Sequence, residues 1–165
     1  MEESLRDVTA LGGFTVLTLI VVVATLAFAF HGKRRQAWLL PIVVVVAQLS
    51  NSVLKLIYAR PRPDVVAYDS YVYSHSFPSG HSTMAAATFL TLATLIASLE
   101  PKRRTKALVY ILAAILIVAI GFSRVYLAVH WPTDVLAGWT LGSACAMGGW
   151  LALRTLQLRE RARSR

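Results

Sequence analysis

A histidine and an aspartate near the C-terminal third of the chain have the spacing of a catalytic pair. His130 precedes Asp134 by four residues in the stretch "SRVYLAVHWPTD" (123–134). The carboxylate can accept a hydrogen bond from one ring nitrogen, which fixes the tautomer and makes the other nitrogen a better nucleophile. Arg124 adds a planar fork of donors that suits phosphate oxygens. A His–Asp pair alone is equally compatible with a structural role.

A second histidine lies where a helix is predicted to begin. His81 belongs to "YSHSFPSGHSTM" (73–84), which is followed directly by a long apolar run. Ser79 and Gly80 stand at the predicted helix start, where unpaired backbone N–H groups and the positive end of the helix dipole form an anion site. A serine that only caps the helix gives the same pattern.

A third stretch, "KLIYARPRP" (55–63), supplies further cations, Lys55, Arg60 and Arg62. The prolines on either side of Arg62 keep the backbone extended and present the guanidinium rigidly. A polar stripe with spacings of three and four residues leads up to this stretch: Gln48, Asn51, Ser52 and Lys55. In a bilayer such a stripe must face protein or a wet cavity. Lys55 alone also fits a lysine that snorkels to the membrane interface.

The elements that must position these residues are hydrophobic segments of membrane-spanning length. Of the 165 residues, 56% are apolar and 15% charged, and one domain over residues 1–165 is expected. Runs of the roughly 20 residues that a spanning helix needs occur near 11–30, 37–57, 82–99, 107–128 and 133–153. Because the runs are apolar all round, they do not fit the striped helices of a soluble protein. The sequence predicts an all-α, multi-pass membrane bundle with about five transmembrane helices.

Basic residues predict the orientation of the bundle. The net charge is +9, and most of the basic residues fall in "HGKRRQ", in "EPKRRTK" and in the tail from 154 to 165. Short cytoplasmic loops carry an excess of Lys and Arg, so these three segments are assigned to the cytoplasm and the three motif stretches to the outer face. The charge therefore indicates topology in a cell (inner) membrane, and no nucleic-acid partner is expected.

Taken together, the three stretches resemble the signature of the type 2 phosphatidic acid phosphatase superfamily of integral-membrane lipid phosphatases, which is related to vanadium haloperoxidases and glucose-6-phosphatase. The signature is Lys, six residues, Arg-Pro; then Pro-Ser-Gly-His; then Ser-Arg, five residues, His, three residues, Asp. The matching residues are Lys55 to Arg62-Pro63, Pro78 to His81, and Ser123-Arg124 through His130 to Asp134. Membrane members usually have six spanning helices, and the one without a counterpart here would precede residue 1. Either the chain starts late, as a fragment or from a wrongly assigned start, or it is a natural short form.

The resemblance implies a covalent phosphatase mechanism without a metal or other cofactor. His130 is the expected nucleophile that becomes a phosphohistidine, Asp134 orients it, and His81 acts first as acid and then as base. The residues expected to bind phosphate are Lys55, Arg62, Arg124 and the backbone N–H groups of Ser79 and Gly80, with Arg60 as a possible helper.

The substrate expected at such a site is a lipid monophosphate or diphosphate, such as phosphatidic acid, phosphatidylglycerol phosphate or a polyprenyl diphosphate. Aromatic residues at 68, 71, 73 and 77 either line its entrance or form an ordinary interfacial belt. Two other functions stay open: a vanadate-dependent haloperoxidase and a non-catalytic protein that binds or translocates lipid. Gly138 and Gly142 form a small-residue ridge suited to packing within a monomer or to homodimerisation.

Overall fold

The computed structural model describes residues 2–63 and 75–163, and the regular structure in this part of the chain is helical throughout. The helices are α1 (Glu2–Ala10), α2 (Phe14–Phe30), α3 (Arg34–Tyr58), α4 (Gly80–Leu99), α5 (Arg103–Tyr126) and α6 (Pro132–Arg163). The predicted all-α class is confirmed. Tyr68, Tyr71 and Tyr73 of the predicted aromatic entrance lie outside the described residues.

Four helices, α3 to α6, are long and apolar enough to cross a membrane, and α1 and α2 make a fifth candidate span if they are counted together across a 42° bend. The five predicted runs therefore correspond to α2 through α6, although α6 continues ten residues beyond the predicted end at 153.

Helix α1 was not predicted, because its acidic sequence looks like a polar terminus. It forms because Val8 packs against the apolar core. The turn between α1 and α2 contains Gly12, whose position leaves no room for a side chain: a Cβ there would lie 2.5 Å from Ile120 Cγ2.

Helix α4 forms the centre of the bundle. Its apolar window is 61% buried, against 28–33% for the other three spans, and it packs against α2, α3, α5 and α6. Its inner surface is built from small residues, Ala85, Ala86 and Ala87, which are fully buried. Large exposed apolar side chains lie instead on the outer helices, as expected for surfaces that face lipid: Leu19, Val23, Ile42, Val46, Ile111 and Ile115.

The closest helix contact joins α6 to the first turns of α4. A Cβ at Gly142 would lie 2.3 Å from the carbonyl oxygen of Thr83, and one at Gly138 would lie 2.8 Å from that of Ser79. The small-residue ridge therefore serves packing within the chain, and homodimerisation stays a prediction.

Hydrogen bonds across helix ends bring the three motif stretches to one end of the bundle. The Ser79 N–H donates to the carbonyl oxygen of Asp134 (3.0 Å), which joins the start of α4 to the start of α6. The buried Asn51 of α3 donates through Nδ2 to Thr83 Oγ1 (2.9 Å). These contacts fix where the functional side chains of three separate helices meet.

Candidate active site

The imidazole of His130 is buried and held in a defined orientation. It is 3% exposed and follows a turn after α5 in which Ala128 has a left-handed φ of 52°. Its Nδ1 lies 3.4 Å from Oδ2 of Asp134, while its Nε2 lies 3.3 Å from Nη1 of Arg62. One ring nitrogen thus faces the carboxylate, and the other faces a cation, as the predicted nucleophile requires.

The carboxylate of Asp134 is anchored from several sides. It is fully buried, and Oδ2 accepts hydrogen bonds from the backbone N–H of Trp131 (3.0 Å) and from the hydroxyl of Ser76. Oδ1 accepts from Nη1 of Arg60 (2.8 Å). A carboxylate held by three donors keeps a fixed position from which to orient the His130 ring.

The structure places Arg60 on this carboxylate. The same Nη1 also donates to Thr133 Oγ1 (2.7 Å), and the guanidinium stacks over the Trp131 ring, 5.5 Å from its centroid. Arg60 thus supports Asp134 in this structure, and its predicted role as a possible helper in phosphate binding stays a prediction.

Three further cations surround the histidine. Lys55 Nζ donates to the backbone carbonyl of His75, and Arg62 Nη1 donates to that of Val129 (2.7 Å). Arg124 Nη1 donates to the Thr9 hydroxyl (2.8 Å), while its buried Nε has no partner among the residues the structure describes. Each of the three side chains is thereby held in place.

Their charges act on His130. Burial lowers the pKa of its ring most, and the positive charges of Arg62, Arg124 and Lys55 lower it further, with a smaller effect from His81. A protonated imidazole is disfavoured in such surroundings, so the neutral, nucleophilic form is stabilised.

The start of α4 supplies the second histidine and a cap. The Ser79 side chain accepts a hydrogen bond from the Ser82 N–H and so caps the helix. Two backbone N–H groups, those of Ser79 and Gly80, were predicted to bind phosphate. The Ser79 N–H already donates to the backbone carbonyl of Asp134. The Gly80 N–H has no partner within its helix, because Gly80 is the first residue of α4, and it remains available to a ligand. His81 follows Gly80, and a Cβ added at Gly12 would lie 3.4 Å from its ring.

A cavity of about 630 Å³, called the groove below, extends from these residues between α2, α3 and α4. Lys55, Gly80 and His81 line its upper end, and Pro41 and Val21 line its lower end. The groove therefore connects the cationic site with the depth of the predicted membrane span.

Two residues of the site were missed. Ser76, which is fully buried, stands two residues before Pro78. The one feature of the sequence that pointed to it was a hydroxyl side chain next to the Pro-Ser-Gly-His motif. Thr9 lies 115 residues before Arg124, and no spacing pattern could link the two. Among the described residues, no group of three or more His, Cys, Asp or Glu is arranged to hold a metal ion.

Comparison with known proteins identifies relatives over most of the chain. Phosphatidylglycerophosphatase B of Bacillus subtilis is 37% identical over 86% of this chain and 70% of its own length. An undecaprenyl-diphosphatase of Sulfolobus acidocaldarius is 33% identical over 84% of this chain and 62% of its own. The crystal structure of the transmembrane PAP2-type phosphatidylglycerolphosphate phosphatase of Bacillus subtilis superposes with a TM-score of 0.84 at 36% identity, covering 90% of this chain and 74% of that one.

These relatives and the spans confirm that the chain is an integral membrane protein and that its predicted enzyme class is a lipid phosphatase. The family model of the PAP2 superfamily matches residues 36–158, which include all three motif stretches. The chain belongs to the PAP2 superfamily, the family that its three motifs resemble.

Proposed function

We propose that the protein hydrolyses the phosphate ester or diphosphate of a membrane lipid through a phosphohistidine on His130, without a metal ion. The observation that carries this proposal is the orientation of the buried imidazole, whose Nδ1 lies 3.4 Å from Asp134 and whose Nε2 faces Arg62 at 3.3 Å. A phosphate bound by Arg62 would place its phosphorus next to the lone pair of Nε2.

In the first step, Nε2 of His130 attacks phosphorus in line and the bond from phosphorus to the leaving oxygen breaks. His81 donates a proton to that oxygen, so the lipid leaves as an alcohol or, from a diphosphate, as a monophosphate. Asp134 stabilises the positive charge that develops on the ring.

In the second step, water attacks the phosphohistidine and His81 takes its proton. The nitrogen–phosphorus bond breaks, which releases inorganic phosphate and restores His130. Lys55, Arg62, Arg124 and the Gly80 N–H balance the charge on the phosphoryl oxygens throughout, a task that magnesium performs in many phosphoryl-transfer enzymes.

The groove supports a lipid as the substrate. It begins at Lys55 and His81 and reaches Pro41, about 21 Å lower on α3 at 1.5 Å per residue. A phosphate held among the cations would leave its hydrocarbon tail in this apolar space. The names of the relatives, a phosphatidylglycerophosphatase and an undecaprenyl-diphosphatase, support phosphatidylglycerol phosphate and polyprenyl diphosphates as candidates. Phosphatidic acid stays a third candidate from the resemblance of the motifs.

The proposed orientation places the site on the periplasmic or extracellular side of the inner membrane and the C-terminus in the cytoplasm. The basic segments at 31–36, 100–106 and 154–165 support it, since short cytoplasmic loops are rich in Lys and Arg. Residues 1–165 would act as one phosphatase domain, either as a monomer or as a homodimer.

The experiment that tests the proposal measures phosphate release in detergent with EDTA present, across lipid monophosphates and diphosphates. The wild type should release phosphate from at least one lipid, and His130→Ala should abolish it. His31→Ala is the matched control, because His31 is exposed and its ring contacts, among the described residues, the Ala27 carbonyl of the preceding helix. Acid quenching of the wild type with a ³²P-labelled substrate should trap a labelled protein that His130→Ala does not form.

Other outcomes favour the other functions. Bromide oxidation that requires added vanadate would support a haloperoxidase, whereas the proposed phosphatase should be inhibited by vanadate, which mimics the five-coordinate phosphorus. Lipid binding by a wild-type protein that releases no phosphate from any substrate would support the non-catalytic function.

A further inference from the structure

Two polar side chains occupy an unusual position in the wall of the groove. Gln48 and Ser52 lie one turn apart on α3, within its 25-residue span, and both are exposed to the groove. At 1.5 Å per residue, Ser52 lies about 4.5 Å and Gln48 about 10 Å below Lys55 along the helix axis. They therefore follow directly beneath the cation that would bind phosphate.

Neither side chain has a hydrogen-bonding partner among the described residues. Some hydroxyls of the spanning helices donate to a carbonyl of their own helix, as Thr94 does to Leu90 (2.7 Å) and Thr140 to Leu136 (2.9 Å). Thr88 and Thr91 of α4 are buried without a partner among the described residues. Asn51, from the same polar stripe, is buried and bonded to Thr83. Gln48 and Ser52 are unpaired and, unlike Thr88 and Thr91, line the groove beneath Lys55.

An unpaired amide at this depth is costly, because hydrocarbon offers it no hydrogen bond. A ligand with polar atoms at the same depth would remove that cost. In a diacylglycerol phosphate, the glycerol and its two ester carbonyls lie just beyond the phosphate and accept hydrogen bonds. In a polyprenyl diphosphate, the second phosphate follows the cleaved one and hydrocarbon begins directly after it, which leaves the deeper amide of Gln48 unpaired.

We infer that Gln48 and Ser52 form a specificity-determining subsite for the ester-linked glycerol region of a diacylglycerol phosphate. This inference rests on the proposed function and selects one substrate class from its candidates. The Gln48 amide and the Ser52 hydroxyl donate to the ester carbonyls, while the acyl chains continue toward Val44 and Pro41 in the lower groove.

The test compares three substrates in mixed micelles: dioleoyl phosphatidic acid, the dialkyl ether analogue that lacks both carbonyls, and a polyprenyl diphosphate. The wild type should have a kcat/KM for the ester about tenfold above that for the ether, the equivalent of one to two hydrogen bonds. Gln48→Leu should remove most of this preference by lowering kcat/KM for the ester, and Ser52→Ala should remove less of it. Both variants should leave the ether unchanged, and Gln48→Leu should also leave the polyprenyl substrate unchanged.

The matched control is Thr15→Val, which also replaces an exposed polar residue of a spanning helix but does not line the groove. It should leave all three substrates unchanged. Equal ester and ether rates in the wild type, or a uniform loss in Gln48→Leu, would overturn the subsite and indicate that water occupies this part of the groove. A wild type that hydrolyses none of the three would instead overturn the proposed function, so the two failures are distinguishable.

Discussion

The hydroxyl of Ser76 donates a hydrogen bond to Oδ2 of Asp134 and lies 3.4 Å from Nδ1 of His130. Ser76, which precedes α4, therefore bridges the two members of the proposed catalytic pair, which lie between α5 and the start of α6. Its own N–H donates to the carbonyl of Arg60 (2.8 Å), the residue whose side chain holds the other carboxylate oxygen. The segment before α4 thus fixes the carboxylate that would orient the proposed nucleophile.

Ser76→Ala should lower kcat about 10- to 100-fold and leave KM nearly unchanged. A hydrogen bond to a charged group contributes about 1.5–3 kcal/mol, and each 1.4 kcal/mol of lost transition-state stabilisation is a factor of ten. KM should be insensitive because the cations that would bind phosphate keep their contacts. Ser98→Ala is the control, since that hydroxyl only bonds the Leu95 carbonyl of its own helix (2.7 Å). An unchanged kcat would show that Trp131 and Arg60 suffice to hold Asp134.

Thr9→Val should raise KM and weaken inhibition by inorganic phosphate about fivefold, while kcat changes less. The Thr9 hydroxyl accepts the hydrogen bond that fixes Arg124, and a bond of this kind contributes about 1 kcal/mol. Thr9→Ser keeps the hydroxyl and should behave as the wild type. The Thr9→Val effect should also disappear in an Arg124→Lys background, because residues that share one interaction are not additive. Additive losses in the double variant would contradict this positioning role.

The ring of His130 should stay neutral at a pH where an ordinary histidine is protonated. Its pKa is lowered by burial and by nearby positive charges, so the ring releases its proton at a lower pH than the ordinary value of about 6.5. The chain has four histidines, and ¹⁵N-histidine NMR in detergent can follow each ring between pH 8 and 5. One ring, absent from the spectrum of His130→Gln, should keep its neutral shifts down to pH 5. A midpoint near 6.5 for that ring would refute the expectation.

The same NMR titration can test the effect of nearby positive charges on the pKa of His130. Arg62 is the largest of the charges that lower the pKa of His130, so Arg62→Met should move the pKa of the ring upward. An unchanged titration in Arg62→Met would contradict the effect assigned to the Arg62 charge.

The spans were predictable because each apolar run maps onto one helix, and the three motif stretches were predictable as neighbours because alternating spans bring them to one end. Individual contacts between residues far apart in the sequence could not be predicted. The Ser79 N–H looked available to phosphate, yet it pairs with the Asp134 carbonyl once α6 packs against α4. Arg60 and Arg62 carry the same charge, so the sequence does not distinguish their roles. In the structure Arg60 binds the carboxylate of Asp134, whereas Arg62 lies beside Nε2 of His130.

The hydrogen bond between Arg124 and Thr9 could not be predicted from the sequence for a different reason. Thr9 is one hydroxyl in a short polar helix, and its importance depends on the bend after it, where Gly12 lets the chain approach Ile120 and His81. Nothing in the local pattern of Thr9 distinguishes it from Thr15 or Thr18, which face other surroundings.

Gly142→Ala should destabilise the bundle, whereas Gly148→Ala, the same change six residues further along α6, should not. A Cβ at Gly142 would lie 2.3 Å from the Thr83 carbonyl oxygen and 2.7 Å from Ala86, while one at Gly148 meets nothing within 4 Å. Overpacking of this kind costs about 1–3 kcal/mol. Alanine at an open helical position instead gains up to about 1 kcal/mol over glycine.

The measurement is the thermal unfolding midpoint of each variant in detergent, together with phosphatase activity at a low temperature. The Gly142→Ala midpoint should fall by about 4–8 °C, taking about 2–4 °C per kcal/mol for a chain of this size. Its activity should fall too, because a displaced α4 carries His81 and Gly80 away from the start of α6. Equal midpoints for the two variants would mean that α4 and α6 can move apart at little cost. The close approach at Gly142 would then not be the contact that holds the motif stretches together.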